Sequence, residues 1–326
     1  MKIGALFALL SVITWSVNSV ITRYCLLNYD INILVFTSLQ IFSGGVALLI
    51  IREPVTLQNW KSGVRYSWLY TWLQIFRNFF LAAVYLYISS TETSLLINLE
   101  VIITAILTYL LFKRKPRSSD IIGMLVILTG IVLFLLSLPE AIRGKIAILV
   151  VLAAFASCIR AVIVEKTTIM SPNTTTRQKC GISGYTMFWG GFLVICILSG
   201  IALFEHFFAK DLMDLPLSTL YLPKIKDIIN PAGIISACLT GLLITSLSTY
   251  LYYATLQTAT AETFMTFRAF QPMLTYGLEI WATTYYFAMR PDLNTKDFIL
   301  AGVIIFGSFL ILIMPPKRDQ KQYMTN

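Results

Sequence analysis

The stretch TFRAFQP, residues 266–272, decides how this chain is read. It places Arg268, Gln271 and Pro272 within two helical turns of an otherwise apolar run. In a soluble protein a proline there would end or kink a core helix. In a bilayer all three residues are costly, and they persist where they face protein or a water-filled cavity. The solvent around the helix therefore determines what the stretch is for.

Composition answers that question. Of 326 residues, 57% are hydrophobic and only 13% charged, and mean hydropathy is +0.77. A soluble domain carries about 25% charged residues, so this chain lacks the charge to cover a soluble surface. It reads as an all-α integral membrane protein. A spanning helix takes about 20 mostly apolar residues. Ten such segments are expected: 3–22, 32–51, 66–88, 93–112, 120–138, 146–165, 183–204, 232–256, 262–287 and 297–314. The short loops between them leave no room for a soluble catalytic domain.

Other function classes find little support. Cys25, Cys158, Cys180, Cys196 and Cys238 are scattered, with no metal-site or disulfide spacing. His206 is the only histidine. No nucleophile–base pair or phosphate loop occurs, so no cofactor, no metal and no enzymatic activity are expected. The apolar run after Lys2 continues to Thr22 without a small-residue cleavage site, and reads as a first span rather than a signal peptide. Asn173-Thr174-Thr175 fits a glycosylation triplet, a pattern that is common by chance.

Loop charge gives an orientation. With ten spans both termini share one side, which would hold 14 basic residues against 8 on the other. Lys113, Arg114, Lys115 and Arg117 form the centre of this bias. The positive-inside rule then places both termini in the cytoplasm, and the expected location is a bacterial inner membrane. The same bias accounts for the +9 charge without a nucleic-acid partner.

The two halves resemble each other. SLQIFSGGVALLI (38–50) and GYTMFWGGFLVIC (184–196) both place Phe, one residue, then Gly-Gly. DIIGMLVILTGIVLFLL (120–136) parallels DFILAGVIIFGSFLILI (297–313), with Asp120 and Asp297 leading and Gly130 and Gly307 in step. Thr91-Glu92-Thr93 parallels Ala261-Glu262-Thr263. Five spans followed by five more bring the second copy in from the opposite side, an inverted repeat as in many carriers. The expected division is 1–140 for the first repeat, 141–316 for the second, and 317–326 for a cytoplasmic tail.

With these features nearly the whole chain resembles the drug/metabolite transporter superfamily, in its EamA-like ten-helix branch. Pro272 in AFQPMLTYGLEI (269–280) matches a proline frequent in that family's ninth span. Val101-Ile102 stands where a fourth-span proline is expected, and Lys113-Arg114-Lys115 replaces a Gly-Glu pair often found after that span. AMRPDLN (288–294) lengthens the exit from span nine. The resemblance implies a carrier.

Charged and amide groups inside spans mark a candidate substrate or gating site. Gln74, Arg77, Asn78 and Tyr85 form a stripe on span three, with Arg77 roughly 16 Å deep. Glu100 lies about 10 Å into span four, on a face with Thr93, Thr104 and Thr108, and Arg77 is its expected partner. Arg268, Gln271, Thr275 and Glu279 share a face of span nine, where Pro272 should kink the helix. Asn18 and Trp15 on span one, and Tyr276 on span nine, complete the set. Snorkelling is the competing reading for Arg268, and snorkelling or pairing the favoured one for Arg160.

The expected activity is secondary transport of a small polar metabolite, driven by a gradient or by exchange. Arginines for a carboxylate and Glu100 for an amine suggest an amino acid or an amino-acid-derived zwitterion such as S-adenosylmethionine. Phosphorylated or nucleotide-linked organic anions are the alternative, should Glu100 be occupied by Arg77. A proton carried by Glu100 would supply coupling. An intramembrane enzyme using Glu100 as a base, or a non-transporting membrane subunit, is the reading from another class. The expected partners are a small-molecule substrate and the lipid bilayer, with a homodimer left open.

Overall fold

The computed structural model describes residues 2–171, 173–208, 222–291 and 293–312. These residues are helical with short connections and, among themselves, include no strand. The chain runs through α1 (Lys2–Tyr29), α2 (Ile33–Ile50), α3 (Leu57–Tyr85), α4 (Ser90–Leu96), α5 (Leu99–Phe112), α6 (Ser118–Ser137), α7 (Glu140–Met170) and α8 (Thr176–Phe208). A short α9 (Ile225–Ile229) precedes α10 (Pro231–Thr240), which passes through a π-helical turn, Gly241–Thr245, into α11 (Ser246–Thr258). Then come α12 (Ala261–Phe267), a 3-10 turn at Arg268–Phe270, α13 (Gln271–Thr283) and α14 (Thr295–Leu312). The tail 317–326 lies outside the described residues.

Among the described residues, seven segments are long and apolar enough to cross a membrane: Ile3–Tyr29, Ile33–Ile50, Ser90–Phe112, Ser118–Ser137, Glu140–Met170, Thr176–Phe207 and Pro231–Thr258. The chain is therefore a multi-pass membrane protein. Helix α3 is not among the seven, because Gln74, Arg77 and Asn78 lower its hydropathy. The α12–α13 pair is interrupted, and α14 also stands outside the set. Large apolar side chains such as Leu125, Leu136, Ile148 and Phe155 point outward, as a lipid-facing surface requires.

The stretches that resemble each other in sequence pack against each other. A side chain on Gly45 would come within 2.4 Å of the Phe188 amide, and one on Gly191 within 2.7 Å of the Phe42 amide. The glycines thus let α2 and α8 approach backbone to backbone, and the Phe42 and Phe188 rings meet at 5.0 Å. In the same way Gly123 lies against the carbonyl of Gly307, and Gly307 against that of Gly123, joining α6 to α14.

Two helices break at their centres. Between α4 and α5 the chain caps at Ile97 and restarts at Asn98, whose side-chain amide donates to the carbonyls of Ser94 and Leu95. Between α12 and α13 the break is the 3-10 turn, with Pro272 in the first turn of α13. Proline is tolerated there because a first-turn amide has no intrahelical partner to lose. Both broken helices start on a hydroxyl cap, Ser89 for α4 and Thr260 for α12. The α4–α5 break has no proline, so its position could not be read from the sequence.

Candidate substrate site

Trp15 of α1 is the centre of the buried polar region. Its indole stacks on Tyr252 at 5.7 Å and meets Phe264 edge-on at 5.3 Å. Three guanidinium groups surround it: Arg268 at 4.1 Å from the ring centroid, Arg77 at 4.9 Å and Arg160 at 5.7 Å. Arg160 also lies 4.9 Å over Tyr252 and 5.3 Å over Tyr70. Desolvated contacts of this kind contribute about 2 kcal/mol each. That is too little to offset burial of three charges, since each buried ion costs several kcal/mol.

Among the described residues the acid at this centre is Glu100, and it pairs with Arg268. Gln271 supports that arginine by accepting from its Nε at 3.3 Å and Nη2 at 3.2 Å. The pairing corrects the expectation that Arg77 would hold Glu100. The helix breaks explain it: Glu100 sits in the first turn of α5 and Arg268 in the 3-10 turn, so both belong to the interruptions. The face expected to join Glu100 to Thr93 does not exist as one helix, because Thr93 is on α4.

Arg77 instead donates from Nη1 to Asn78 Oδ1 at 3.2 Å. Among the described residues no carboxylate pairs with Arg77 or Arg160. Nε of Arg77, and Nε and Nη1 of Arg160, are buried without a hydrogen-bond partner, as is Oε1 of Gln74. The snorkelling readings are corrected: Arg268 is 4% exposed and Arg160 1%. Aromatic faces hold Arg160 inside, a packing that its sequence neighbours did not disclose.

Beside Arg77 a polar cleft opens between α1, α2, α3 and the π-helical turn. Its walls include Trp15, Asn18, Gln74, Arg77, Asn78 and Tyr85. Asn18 accepts from Gln40 at 2.9 Å. The π turn brings Thr245 to the same wall, with its hydroxyl buried and unbonded; such turns recur at functional sites. The cleft is narrow, with a volume of about 20 Å³. A metabolite would fit only after the helices part.

Of the expected residues, Trp15, Asn18, Gln74, Arg77, Asn78 and Tyr85 gather at this cleft, with Arg268 against Trp15 and Glu100 and Gln271 bound to Arg268. Tyr276 does not join them. Its ring packs edge-on against Phe298 at 5.1 Å, on the side of α13 that faces α14. Arg160 and Tyr70 also belong to the centre, although depth and spacing in the sequence did not mark them as site residues, and Tyr252, a cavity candidate from the sequence, joins them.

Each broken helix is capped by a carboxylate from another helix. Glu279 of α13 accepts from the amides of Ser90 and Thr91 at 2.8 and 3.0 Å and from the Thr91 hydroxyl at 2.6 Å. The same carboxylate pairs with Arg23 at 2.8 Å. At the start of α12, Glu165 of α7 accepts from the Ala261 amide at 3.0 Å and pairs with Arg114 at 2.6 Å. Thr108 of α5 hydrogen-bonds Glu262 there. Carboxylates are favoured at helix N-termini, where amides lack partners.

Residues 2–136 match the model of the EamA-like transporter family. No curated protein matches the chain by sequence. A solved crystal structure aligns over 94% of this chain and 96% of its own, with a TM-score of 0.56 and 13% identity; at that identity the likeness speaks to the fold alone. Over residues 2–136 the chain is thus similar to the EamA-like transporter family, of the drug/metabolite transporter superfamily.

Proposed function

We propose that this protein is a secondary carrier of a small organic anion, bearing carboxylate or phosphate groups, and that the solute binds at the Trp15 centre. The carrying observation is the local charge: three buried guanidinium groups against one carboxylate, with Glu100 already held by Arg268. A zwitterion needs a free acid for its amine, and this arrangement offers none. Arginine forks suit carboxylate and phosphate. The geometry thus favours the anion over the amino-acid-like solute suggested by residue types alone.

The proposed architecture is ten spans in two inverted five-helix repeats, 1–140 and 141–316. Support comes from the reciprocal packing of the matched stretches and from the breaks in α4–α5 and α12–α13. Discontinuous helices at a repeat interface are a recurrent carrier design. Both termini are placed in the cytoplasm on loop charge, in a bacterial inner membrane, with the tail 317–326 on the cytoplasmic side. The solute and the lipid bilayer are the partners, with a homodimer as a further one; no nucleic acid, cofactor or catalytic reaction enters this reading.

Counterflow in proteoliposomes tests the function. Vesicles preloaded with glycerol phosphate or a four-carbon dicarboxylate should accumulate the labelled anion. Matched amino acids and amines should neither be transported nor compete. Transport of the zwitterions with indifference to the anions would replace this reading.

A further inference from the structure

A second cavity lies between α3, α7, α8 and α11, on the other side of the Tyr70–Tyr252 layer from the Trp15 cleft. Its volume is about 40 Å³, and Lys179, Ser67, Ser183, Tyr70, Tyr253 and Ile182 are among its walls. Lys179 is 7% exposed. Its ammonium donates to Thr168 Oγ1 at 3.0 Å, and among the described residues no carboxylate pairs with it. A buried ammonium without a counter-ion is costly. The cavity also offers hydroxyls at its floor, where Ser183 meets Tyr253 at 2.5 Å and Ser67 at 3.1 Å.

What lies beyond the floor gives this cavity a direction. Tyr70 lines it and also underlies the guanidinium of Arg160 at 5.3 Å. The Tyr253 ring lies tilted against that of Tyr70, with centroids 5.5 Å apart. Lys179, Arg160 and Arg77 therefore follow one another from the cavity to the Trp15 cleft, separated by aromatic rings and, among the described residues, with no acid paired to any of them. Lys179 sits in the opening turns of α8, close to the last turns of α7, at the end of these helices where Lys166 and Arg177 also lie.

We propose that the Lys179 cavity is a second anion station, which receives the solute's carboxylate or phosphate group from the basic end of the protein before Tyr70 moves aside and Arg160 takes it over. The ammonium and the hydroxyls of Ser67 and Ser183 replace water around the anion. The aromatic floor keeps the two stations apart while the protein is closed. This assignment rests on the anion-carrier reading above.

Sided flux separates the two. Proteoliposomes are sorted by which face exposes residues 113–117, and uptake of glycerol phosphate and a four-carbon dicarboxylate is measured from each face. Lys179→Gln should raise KM from the basic face about tenfold, the loss of one charge-assisted contact, and leave KM from the opposite face unchanged. Lys179→Arg should keep wild-type KM, which guards against a mere folding defect in the glutamine variant. Unchanged KM for Lys179→Gln on both faces, in protein that still transports, would overturn the station and leave the carrier standing. A change equal on both faces, or shared by Lys179→Arg, would also overturn it, by marking a packing role. Absence of anion transport in the wild type would remove the carrier reading and this inference together.

Discussion

Glu279 binds the backbone and the hydroxyl of Thr91, 188 residues away in the chain. One carboxylate from α13 thereby closes the N-terminus of α4 and neutralises Arg23 at 2.8 Å. Glu165 does the equivalent at α12, with Arg114. These two contacts sit at the starts of the two broken helices, and both are made in this closed arrangement.

Removing one lock should loosen one end. Glu279→Gln leaves Arg23 buried without a counter-charge, a change that costs about 3–5 kcal/mol for a buried pair. We expect a lower melting temperature in detergent. We also expect faster labelling of an Asn18→Cys variant from the face opposite residues 113–117. Labelling at the wild-type rate from both faces would remove Glu279 as a lock.

The opposite lock predicts the mirror result. Glu165→Gln releases Arg114 and the Ala261 amide together. Labelling of Asn18→Cys should then accelerate from the face that exposes residues 113–117. If both glutamine variants accelerate labelling from the same face, the two contacts do not guard opposite ends.

Lys113 ends α5 in the left-handed conformation, with φ 55° and ψ 25°. A residue with a Cβ pays roughly 1 kcal/mol there, and glycine does not. Lys113→Gly should therefore raise stability by about 1 kcal/mol, read as a higher melting temperature. The Arg114–Glu165 pair next to it should be unaffected. A lower melting temperature would show that Lys113 makes a contact outweighing its backbone strain.

Much of this was legible in the sequence, and the parts that were not share a cause. Helix positions followed from apolar run length, and the pairing of α2 with α8 and α6 with α14 was foreshadowed by the Gly-Gly and Asp…Gly matches. Arg77 and Arg268 were found because a charge deep in a span has few structural uses. The partner of Glu100 was missed because depth along a straight helix was used, and α4–α5 is not straight. Without a proline, the break at Asn98 leaves no local signal. Tyr276 failed for a different reason: hydroxyl-bearing aromatics serve cavity walls and helix contacts alike, and only its packing on Phe298 tells them apart.

Glu100 has a second use as a probe. Glu100→Gln frees Arg268 from the acid it pairs with, raising the local positive charge by one. An anion should then bind about tenfold tighter and leave more slowly, so that KM and maximal counterflow fall together. The variant would also reveal proton coupling, since a pH dependence of wild-type transport carried by Glu100 should vanish. Weaker anion binding would instead make Glu100 part of the solute's own contacts.

The central claim is that Arg77 and Arg160, which no acid among the described residues neutralises, hold the charge of an anionic solute at Trp15. Competition binding to purified protein, with labelled glycerol phosphate or dicarboxylate, measures this directly. Arg77→Gln and Arg160→Gln should each weaken anion binding by at least about tenfold in folded protein. Binding of both anions at wild-type affinity in both variants would refute the assignment of charge at this site.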